Sequence, residues 1–511
     1  MNVKFAFALA LAAASATAQA RLEMSGIFTD NMVLQRGKPI PVWGKATPGT
    51  MVKVVFDGDS AEAMAGARGD WEVKLPAREA DAVGKKLVLT GAGATVVCTN
   101  VLVGDVWLCS GQSNSEMTFN WGILDGKEVM AASTNYPCIR VTKVGHVTSP
   151  YPVKYQTDSY PWVVANPETL KNVTAMGYFF ARDINRRTGI PIGIIDDNWS
   201  GCRIEPFICA EGLASEKDLR HELVYALRYT NWVEQVTAGG PLDYRMPPEC
   251  GFGTQHNAMI EPLVRFPITG ALWYQGCSNG NEGMTYATKL RALIAGWRAK
   301  WNCGDFPFYI VQLASFTAAT DDPAGGNGYA KIRNAMRIVA QTVPNTGLAV
   351  AIDIGNARDI HPKNKHDVGV RLARWARRDV YGEKDLVVSG PLYKSMKVED
   401  GKIRISFDHV GSGLMAAEKG PDTPGVEPTP CALGEDALKG FAIAGEDHVW
   451  QWADAEIDGK DVVVSSPAVT APVAVRYAHR ANPMGNCNLY NKEGLPASPF
   501  RTDDWEDAKK K

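Results

Sequence analysis

A predicted strand that ends in a small polar turn is the feature that most constrains this chain. Residues 101–108 form an apolar, β-branched run, which predicts a buried strand. The run ends in Ser-Gly-Gln-Ser-Asn at 110–114, a polar and turn-forming cluster. Open α/β sheets bind ligands at the carboxyl ends of their strands, so a serine here would lie where such sheets do chemistry. The alternative is an ordinary turn in which Ser110 or Ser113 caps a helix.

The length and charge of the chain limit its class. A chain of 511 residues predicts several domains, and 45% hydrophobic with 22% charged residues is typical of globular proteins. The formal net charge of −2 gives no electrostatic reason to expect a nucleic acid or an anionic membrane as partner. No segment after the N-terminal leader is apolar for long enough to span a bilayer.

The N-terminus predicts a secretory signal peptide over residues 1–20. Lys4 is followed by an apolar stretch at 5–14, and Ala18-Gln19-Ala20 fits a small-x-small cleavage site. The expected location is therefore secreted or periplasmic, and the alternative is a buried N-terminal helix.

The cysteines and histidines do not indicate a metal site. Ten cysteines are too few for a disulfide scaffold in a chain of this size, and their pairing is not assigned. They contain no C-x-x-C pair, and no two histidines have convincing ligand spacing.

The patterning divides the mature chain into three regions. Residues 21–100 read as short strands separated by turns, which indicates a β-sandwich-like domain. Residues 101–385 alternate apolar strands with helices expected at 176–187, 286–300 and 365–380, which indicates a parallel sheet covered on both faces. Residues 386–511 return to strand-like alternation and form a C-terminal β-rich domain.

Two later segments carry further motifs: Trp-Tyr-Gln-Gly-Cys-Ser-Asn at 273–279 and Asp-Ile-His-Pro-Lys-Asn-Lys at 359–365. Together the three blocks resemble the SGNH hydrolase superfamily, and within it the sialate O-acetylesterases. The resemblance runs from residues 30–44 to residues 488–505. It implies a three-layer α/β/α esterase domain flanked by β-rich domains. The chain departs from the family pattern at Ser115 (usually Met), at Cys277 (usually Glu) and at the block Trp-Ser-Gly-Cys over 199–202 (usually Trp-Gly-Gly-Thr).

Ester hydrolysis by a serine needs a nucleophile, a base and an orienting group. Ser113 is the candidate nucleophile and His361 the candidate base, with Pro362 favouring an extended backbone at the histidine. Asp359 is the candidate acid. Asp353, or a backbone carbonyl that supports a Ser-His dyad, is the alternative.

The resemblance also implies the donors that stabilise the oxyanion. They are the backbone N–H of Ser113, the backbone N–H of Gly201 and the side-chain amide of Asn279. Gln112 and Gln275 are expected to hydrogen-bond substrate hydroxyls.

A rival nucleophile lies in and just after the block at 273–279. Gly-Cys-Ser-Asn-Gly at 276–280 matches the G-x-S-x-G elbow of α/β-hydrolases, with Ser278 as nucleophile. The glycines and asparagine at 280–283 are poor helix formers, so the helix that the elbow requires is not expected there.

The expected function is a serine esterase that removes O-acetyl groups from carbohydrate through an acetyl-serine intermediate. O-acetylated sialic acid is the first choice of substrate, and acetylated xylan or another glycan is the second. A non-catalytic carbohydrate-binding protein is the alternative from another class. The expected partner is an O-acetylated sugar or glycan, without a cofactor, metal, nucleic acid or membrane span.

Overall fold

The computed structural model describes residues 21–156, 158–219, 251–431 and 438–505. The signal peptide expected at residues 1–20 lies outside these ranges. Within them, no helix has both the length and the apolar character needed to cross a membrane.

The described chain alternates strands and helices in its middle and is rich in strands at both ends. The strands up to residue 111 are β1 (Leu22–Met24), β2 (Val33–Gln35), β3 (Ile40–Ala46), β4 (Met51–Phe56), β5 (Asp59–Met64), β6 (Asp70–Leu75), β7 (Asp81–Gly91) and β8 (Ala94–Gly111). The central strands are β9 (Ile139–Lys143), β10 (Val163–Val164), β11 (Ile192–Asn198), β12 (Gly270–Tyr274), β13 (Phe308–Val311) and β14 (Thr346–Ala349). The C-terminal strands are β15 (Leu392–Glu399), β16 (Lys402–Asp408), β17 (Leu414–Glu418), β18 (Thr429–Pro430), β19 (Phe441–Ala444), β20 (Gln451–Trp452), β21 (Asp454–Asp458), β22 (Asp461–Ser465), β23 (Ala474–Tyr477), β24 (Leu489–Asn491) and β25 (Phe500–Arg501).

The α-helices of the described ranges all belong to the middle of the chain. They are α1 (Ser113–Glu116), α2 (Gly126–Ala132), α3 (Ala175–Thr188), α4 (Ala210–Ser215), α5 (Thr285–Trp301), α6 (Gly328–Thr342) and α7 (Lys365–Asp379).

A parallel sheet occupies the middle of the molecule. Its strands lie in the order β9-β11-β8-β12-β13-β14 and all run parallel, while β10 adds an antiparallel edge beside β9. Every residue of β11, β12, β13 and β14 is buried. Such continuous burial explains why these strands read as unbroken apolar runs in the sequence.

The helices contact this sheet as two groups. Phe308 and Tyr309 are neighbours in β13 and point to opposite faces of the sheet. Phe308 packs on Trp297 of α5, whereas Tyr309 packs on Trp375 of α7. Helix α3 also packs on α7, and α4 and α6 pack on α5.

The N-terminal region shares a strand with the central sheet. The first part of β8 pairs antiparallel with β7, and its second part pairs parallel with β11 and β12. One hydrophobic core runs through both regions, from Leu22 to Leu392. The domain limit expected between residues 100 and 101 falls inside this strand.

The C-terminal strands form a second hydrophobic core, which includes Ile405, Phe441 and Phe500. They belong to separate sheets, in the orders β15-β16-β22-β21, β18-β17-β24 and β20-β19-β23-β25. The buried guanidinium of Arg333 in α6 donates hydrogen bonds to the carbonyl oxygens of Arg480 and Ala481, at 2.6 and 2.8 Å. The two cores are therefore joined by polar contacts.

Candidate active site

The turn after β8 presents Ser113 at the start of a helix. Gly111 has φ +142°, and a Cβ atom there would lie 2.3 Å from the carbonyl oxygen of Tyr274, so a glycine is required. Helix α1 begins at Ser113, and the first N–H groups of a helix have no partner within it. The turn therefore presents both the hydroxyl and the backbone N–H of Ser113.

The structure brings Ser113 and His361 together. The Oγ atom of Ser113 lies 2.8 Å from Nε2 of His361, which is a hydrogen-bond distance. His361 lies on the loop between β14 and α7, so two strand ends supply the pair. Burial lowers the pKa of His361 below its ordinary value, which keeps the imidazole neutral and able to accept a proton at neutral pH.

The two candidate acids have different surroundings. Asp359 Oδ1 lies 3.5 Å from Nδ1 of His361 and accepts a 2.8 Å hydrogen bond from the backbone N–H of His361. Burial alone would raise the pKa of Asp359, but that backbone N–H and Lys363 hold it below its usual range. Asp353 instead forms a buried bidentate pair with Arg371, at 2.6 and 2.7 Å. Of the two carboxylates, Asp359 is the one beside the imidazole.

The residues expected to form the oxyanion hole follow three adjacent strands. Ser113 follows β8, Gly201 follows β11 and Asn279 follows β12, and β8 lies between the other two strands. Gly201 is exposed, with φ +74° and no atom within 4 Å of the position of a Cβ. Within the described ranges, neither the N–H of Ser113 nor that of Gly201 has a hydrogen-bond acceptor. Both groups are therefore available to a ligand.

Asn279 differs from Ser113 and Gly201, because it is buried and its side-chain amide is hydrogen-bonded within the protein. Its Oδ1 accepts hydrogen bonds from the backbone N–H of Ile204 at 3.1 Å and from Nε2 of Gln275 at 2.8 Å. Its Nδ2 faces the carboxylate of Glu205, at 3.1 and 3.3 Å. The side chain thus links the block at 273–279 to the loop that follows Gly201.

Gln112 and Gln275 also make internal hydrogen bonds. Gln112 accepts from the backbone N–H of Gly276 at 3.0 Å, and Gln275 donates to the carbonyl oxygen of Cys202 at 3.2 Å. Gln275 is fully buried and accepts a further bond from Tyr286 at 2.9 Å. These contacts position the loops, and the expectation that the two glutamines bind substrate hydroxyls stays a prediction.

Within the described part of the chain, the hydroxyl of Ser278 has no histidine partner. Its hydroxyl donates to the carbonyl oxygen of Gly201 at 2.9 Å and lies 3.4 Å from Nε2 of Gln112. It belongs to a single 3₁₀ turn, Cys277–Asn279, and the next α-helix begins only at Thr285. The geometry favours Ser113 over this rival.

Sequence reasoning missed two side chains that join the Ser113 and His361 loops. Asn114 donates to the carbonyl oxygen of Ile360 at 2.9 Å, immediately before His361. The fully buried Lys365 donates to Oδ1 of Asn114 at 2.6 Å, and burial lowers the pKa of this lysine to about 7. Both residues lie inside the recognised blocks, but a buried lysine has no signature in a single sequence.

Glu116 is a further missed residue and anchors the loop of Ser200 and Gly201. Its carboxylate accepts hydrogen bonds from the backbone N–H and the hydroxyl of Ser200, at 2.8 and 2.6 Å. Glu116 ends α1, so this contact ties the helix of Ser113 to the residue before Gly201.

Aromatic side chains flank the site. Trp121 is 39% exposed and meets the ring of His361 edge-on, with centroids 5.6 Å apart. On the other side, a cavity of about 650 Å³ is lined by Gly201, Trp199 and Phe252. Trp273 is fully buried against Trp297 and belongs to the core.

The chain is similar to known proteins over most of its length. The model of a family described as carbohydrate esterase, sialic acid-specific acetylesterase, matches residues 253–377. A carbohydrate acetylesterase from Xanthomonas citri is 38% identical, with a TM-score of 0.80, and the match covers 94% of this chain and all of that one. The chain belongs to this family of carbohydrate esterases.

More distant relatives agree with that assignment. The sialate O-acetylesterase of Rattus norvegicus is 27% identical over 93% of each chain. The sialate O-acetylesterase of Homo sapiens is 28% identical over 92% of this chain and 90% of its own. The enzyme is therefore a carboxylic ester hydrolase of the carbohydrate O-acetylesterase type, which confirms the resemblance.

Proposed function

We propose that this enzyme removes acetyl groups from O-acetylated sialic acid, with Ser113 as nucleophile and His361 as base. The observation that carries the proposal is the 2.8 Å contact between Ser113 Oγ and His361 Nε2 at the ends of two parallel strands. The sialate O-acetylesterases among the relatives support sialic acid as the sugar.

The proposed mechanism is acyl transfer in two steps. Ser113 attacks the acetyl carbonyl carbon while His361 takes the hydroxyl proton. The proton passes to the sugar oxygen as the ester bond breaks, which leaves an acetyl-serine. Water, activated by His361, then releases acetate and restores Ser113. Asp359 orients the imidazole through its contact with Nδ1 and favours the protonated ring.

The oxyanion of each tetrahedral intermediate would be held by three donors. Among the residues that the structure describes, the N–H groups of Ser113 and Gly201 have no acceptor, which supports their role. The third donor is the amide of Asn279, whose second N–H would point to the substrate.

The surroundings of Ser113 suit a sugar. The partly exposed ring of Trp121 and the face of Trp199 that is not stacked on His146 provide apolar surfaces of the kind that pack on pyranose rings, one beside His361 and one beside Gly201. A cavity of about 650 Å³ next to Gly201 has the volume of sites that enclose small ligands.

The architecture and location form part of the same proposal. The esterase domain at 101–385 is proposed to be a three-layer SGNH sheet, flanked by β-rich domains at 21–100 and 386–511. The opposite packing of Phe308 and Tyr309 supports the three layers. Residues 1–20 are proposed to direct secretion or export to the periplasm.

The test is acetate release by the purified chain from a panel of O-acetylated sialic acids, acetylated xylan and other acetylated glycans. Sialic acid esters should give the highest kcat/KM. Preference for acetylated xylan would support the second choice of substrate, and no acetate release from any member would support a binding protein.

A further inference from the structure

A charged network contacts Asn279, and of its four members Glu205 and Lys289 are buried, Glu282 is partly buried and Arg203 is half-exposed. Glu205 accepts from Asn279 and also from Lys289 at 2.7 Å and Arg203 at 2.8 Å. Lys289 makes a second ion pair with Glu282 at 2.8 Å, and Arg203 also contacts Glu282. The network therefore contains two carboxylates and two cations.

The network fixes the orientation of the Asn279 amide. Its oxygen faces two N–H donors, from Ile204 and Gln275, and its nitrogen faces the carboxylate of Glu205. A flipped amide would set oxygen against carboxylate and N–H against N–H, so the flip is unfavourable on both sides. An amide nitrogen carries two hydrogens, and the bond to Glu205 leaves one of them for the reacting oxygen.

The same arrangement creates an electrostatic difficulty. A carboxylate one hydrogen bond away from an oxyanion donor repels the negative charge that develops in the transition state. Burial alone would raise the pKa of Glu205, but hydrogen bonds from Arg203, Lys289 and Asn279 hold it well below its usual range, so Glu205 is ionised at neutral pH. Its charge must be compensated, and Lys289 is the buried cation in contact with it.

We propose that Glu205 is a positioning residue that locks Asn279 as an oxyanion donor, and that Lys289 neutralises Glu205 so that the oxyanion can form. This inference rests on the function proposed for Ser113, His361 and Asn279. It assigns to this ion pair an effect on turnover that a purely structural ion pair lacks.

The inference predicts that the effects of two substitutions on kcat partly cancel. Lys289→Met leaves the charge of Glu205 poorly compensated, so kcat should fall about tenfold or more while KM changes little. Glu205→Gln keeps the size of the side chain and an acceptor for Asn279 but removes the charge. The double variant should therefore turn over faster than Lys289→Met alone.

The experiment measures kcat and KM for an acetylated sugar, together with thermal unfolding, in wild type, both single variants and the double variant. Arg291→Met is the matched control, because Arg291 lies on the same helix and pairs with Glu216 at 2.9 Å without touching Asn279. Its kcat should equal that of the wild type.

Two results would overturn the inference: an unchanged kcat in Lys289→Met, or a double variant no faster than Lys289→Met. If Lys289→Met fails to fold, Arg203→Gln replaces it, because Arg203 is half-exposed and also compensates Glu205. Its loss of kcat must likewise be reduced by Glu205→Gln. Failure of the proposed function is distinguishable, because it would appear as full activity in Ser113→Ala.

Discussion

The nucleophile side and the oxyanion side of the site are built differently. On the nucleophile side, one contact of 2.8 Å joins Ser113 to a histidine whose side chain is 28% exposed. On the oxyanion side, Asn279 and Gln275 are almost fully buried and bind each other, Glu205 and the loop after Gly201. On the first side the histidine is partly exposed, whereas on the second side most side-chain hydrogen bonds are made to other groups of the protein.

This difference predicts which substitutions should lower activity by removing a reacting group and which should lower it by disturbing the geometry of the site. Removing a group on the nucleophile side deletes a reacting atom and leaves the fold in place. Changing a group on the oxyanion side disturbs buried partners as well, so its effects should depend on which neighbours remain.

The largest effect is expected for Ser113→Ala, which should reduce turnover by several orders of magnitude because the attacking oxygen is lost. The measurement is acetate release under saturating acetylated sugar. Ser278→Ala is the matched control and should keep much of the activity, because its hydroxyl hydrogen-bonds to Gly201 and Gln112 and, among the described residues, to no histidine. High activity in Ser113→Ala together with loss of activity in Ser278→Ala would favour Ser278, in the G-x-S-x-G elbow, as the nucleophile.

His361→Ala should also lower turnover by several orders of magnitude, because the serine proton then has no acceptor. In the wild type, kcat/KM should be constant near neutral pH and fall on acidification. Since burial lowers the pKa of His361, the fall should begin below the ordinary histidine pKa of about 6.5. A pH profile with chemistry limiting checks this, and a flat profile from about pH 5 to 8 would remove His361 from the role of base.

Asn279→Asp should cost about a hundredfold or more in kcat, on the order of 3 kcal/mol, because a donor becomes a carboxylate beside developing negative charge. The new carboxylate would also face Glu205, so Asp should be at least as damaging as Ala. Kinetics of the folded variants decide the matter. Near-normal turnover in Asn279→Asp would make the residue an ordinary turn former.

The smallest effect is expected for Trp121→Ala, which removes an exposed ring and no reacting group. KM for an acetylated sugar should rise about tenfold at most, because a stacked aromatic face contributes about 1 kcal/mol. Trp121→Phe should keep more of the affinity. The measurement compares KM for the sugar with KM for a small alkyl acetate, and an equal change in both would argue against sugar stacking.

Much of the central fold could be predicted, because the sequences of several individual helices show apolar residues at helical spacing. The helices expected at 176–187, 286–300 and 365–380 appear as Ala175–Thr188, Thr285–Trp301 and Lys365–Asp379. The helix Gly328–Thr342 was missed, although Ile332, Ala335, Met336 and Val339 carry its apolar face.

The nucleophile side of the site was also easier to predict than the oxyanion side. Ser113 and His361 lie in short sequence blocks whose residue types indicate a serine nucleophile and a histidine base. Glu205 and Lys289 are 84 residues apart in the sequence, and they follow β11 and β12, the two strands that flank β8. Periodicity and motifs do not report which distant charges share a buried space, so this pair was not predictable.

The continuity of β8 has a consequence for trimming or rebuilding this protein. The strand runs from Ala94 to Gly111, so its first residues are held by β7 and its last residues end two positions before Ser113. One continuous strand is therefore shared by the N-terminal region and the central sheet. A shortened chain that starts at residue 101 would remove the first part of this strand and leave Ser113 after a strand that is paired along only part of its length. An engineered minimal enzyme should therefore keep residues 94–100 together with β7, even though none of them touches the substrate in the proposed mechanism.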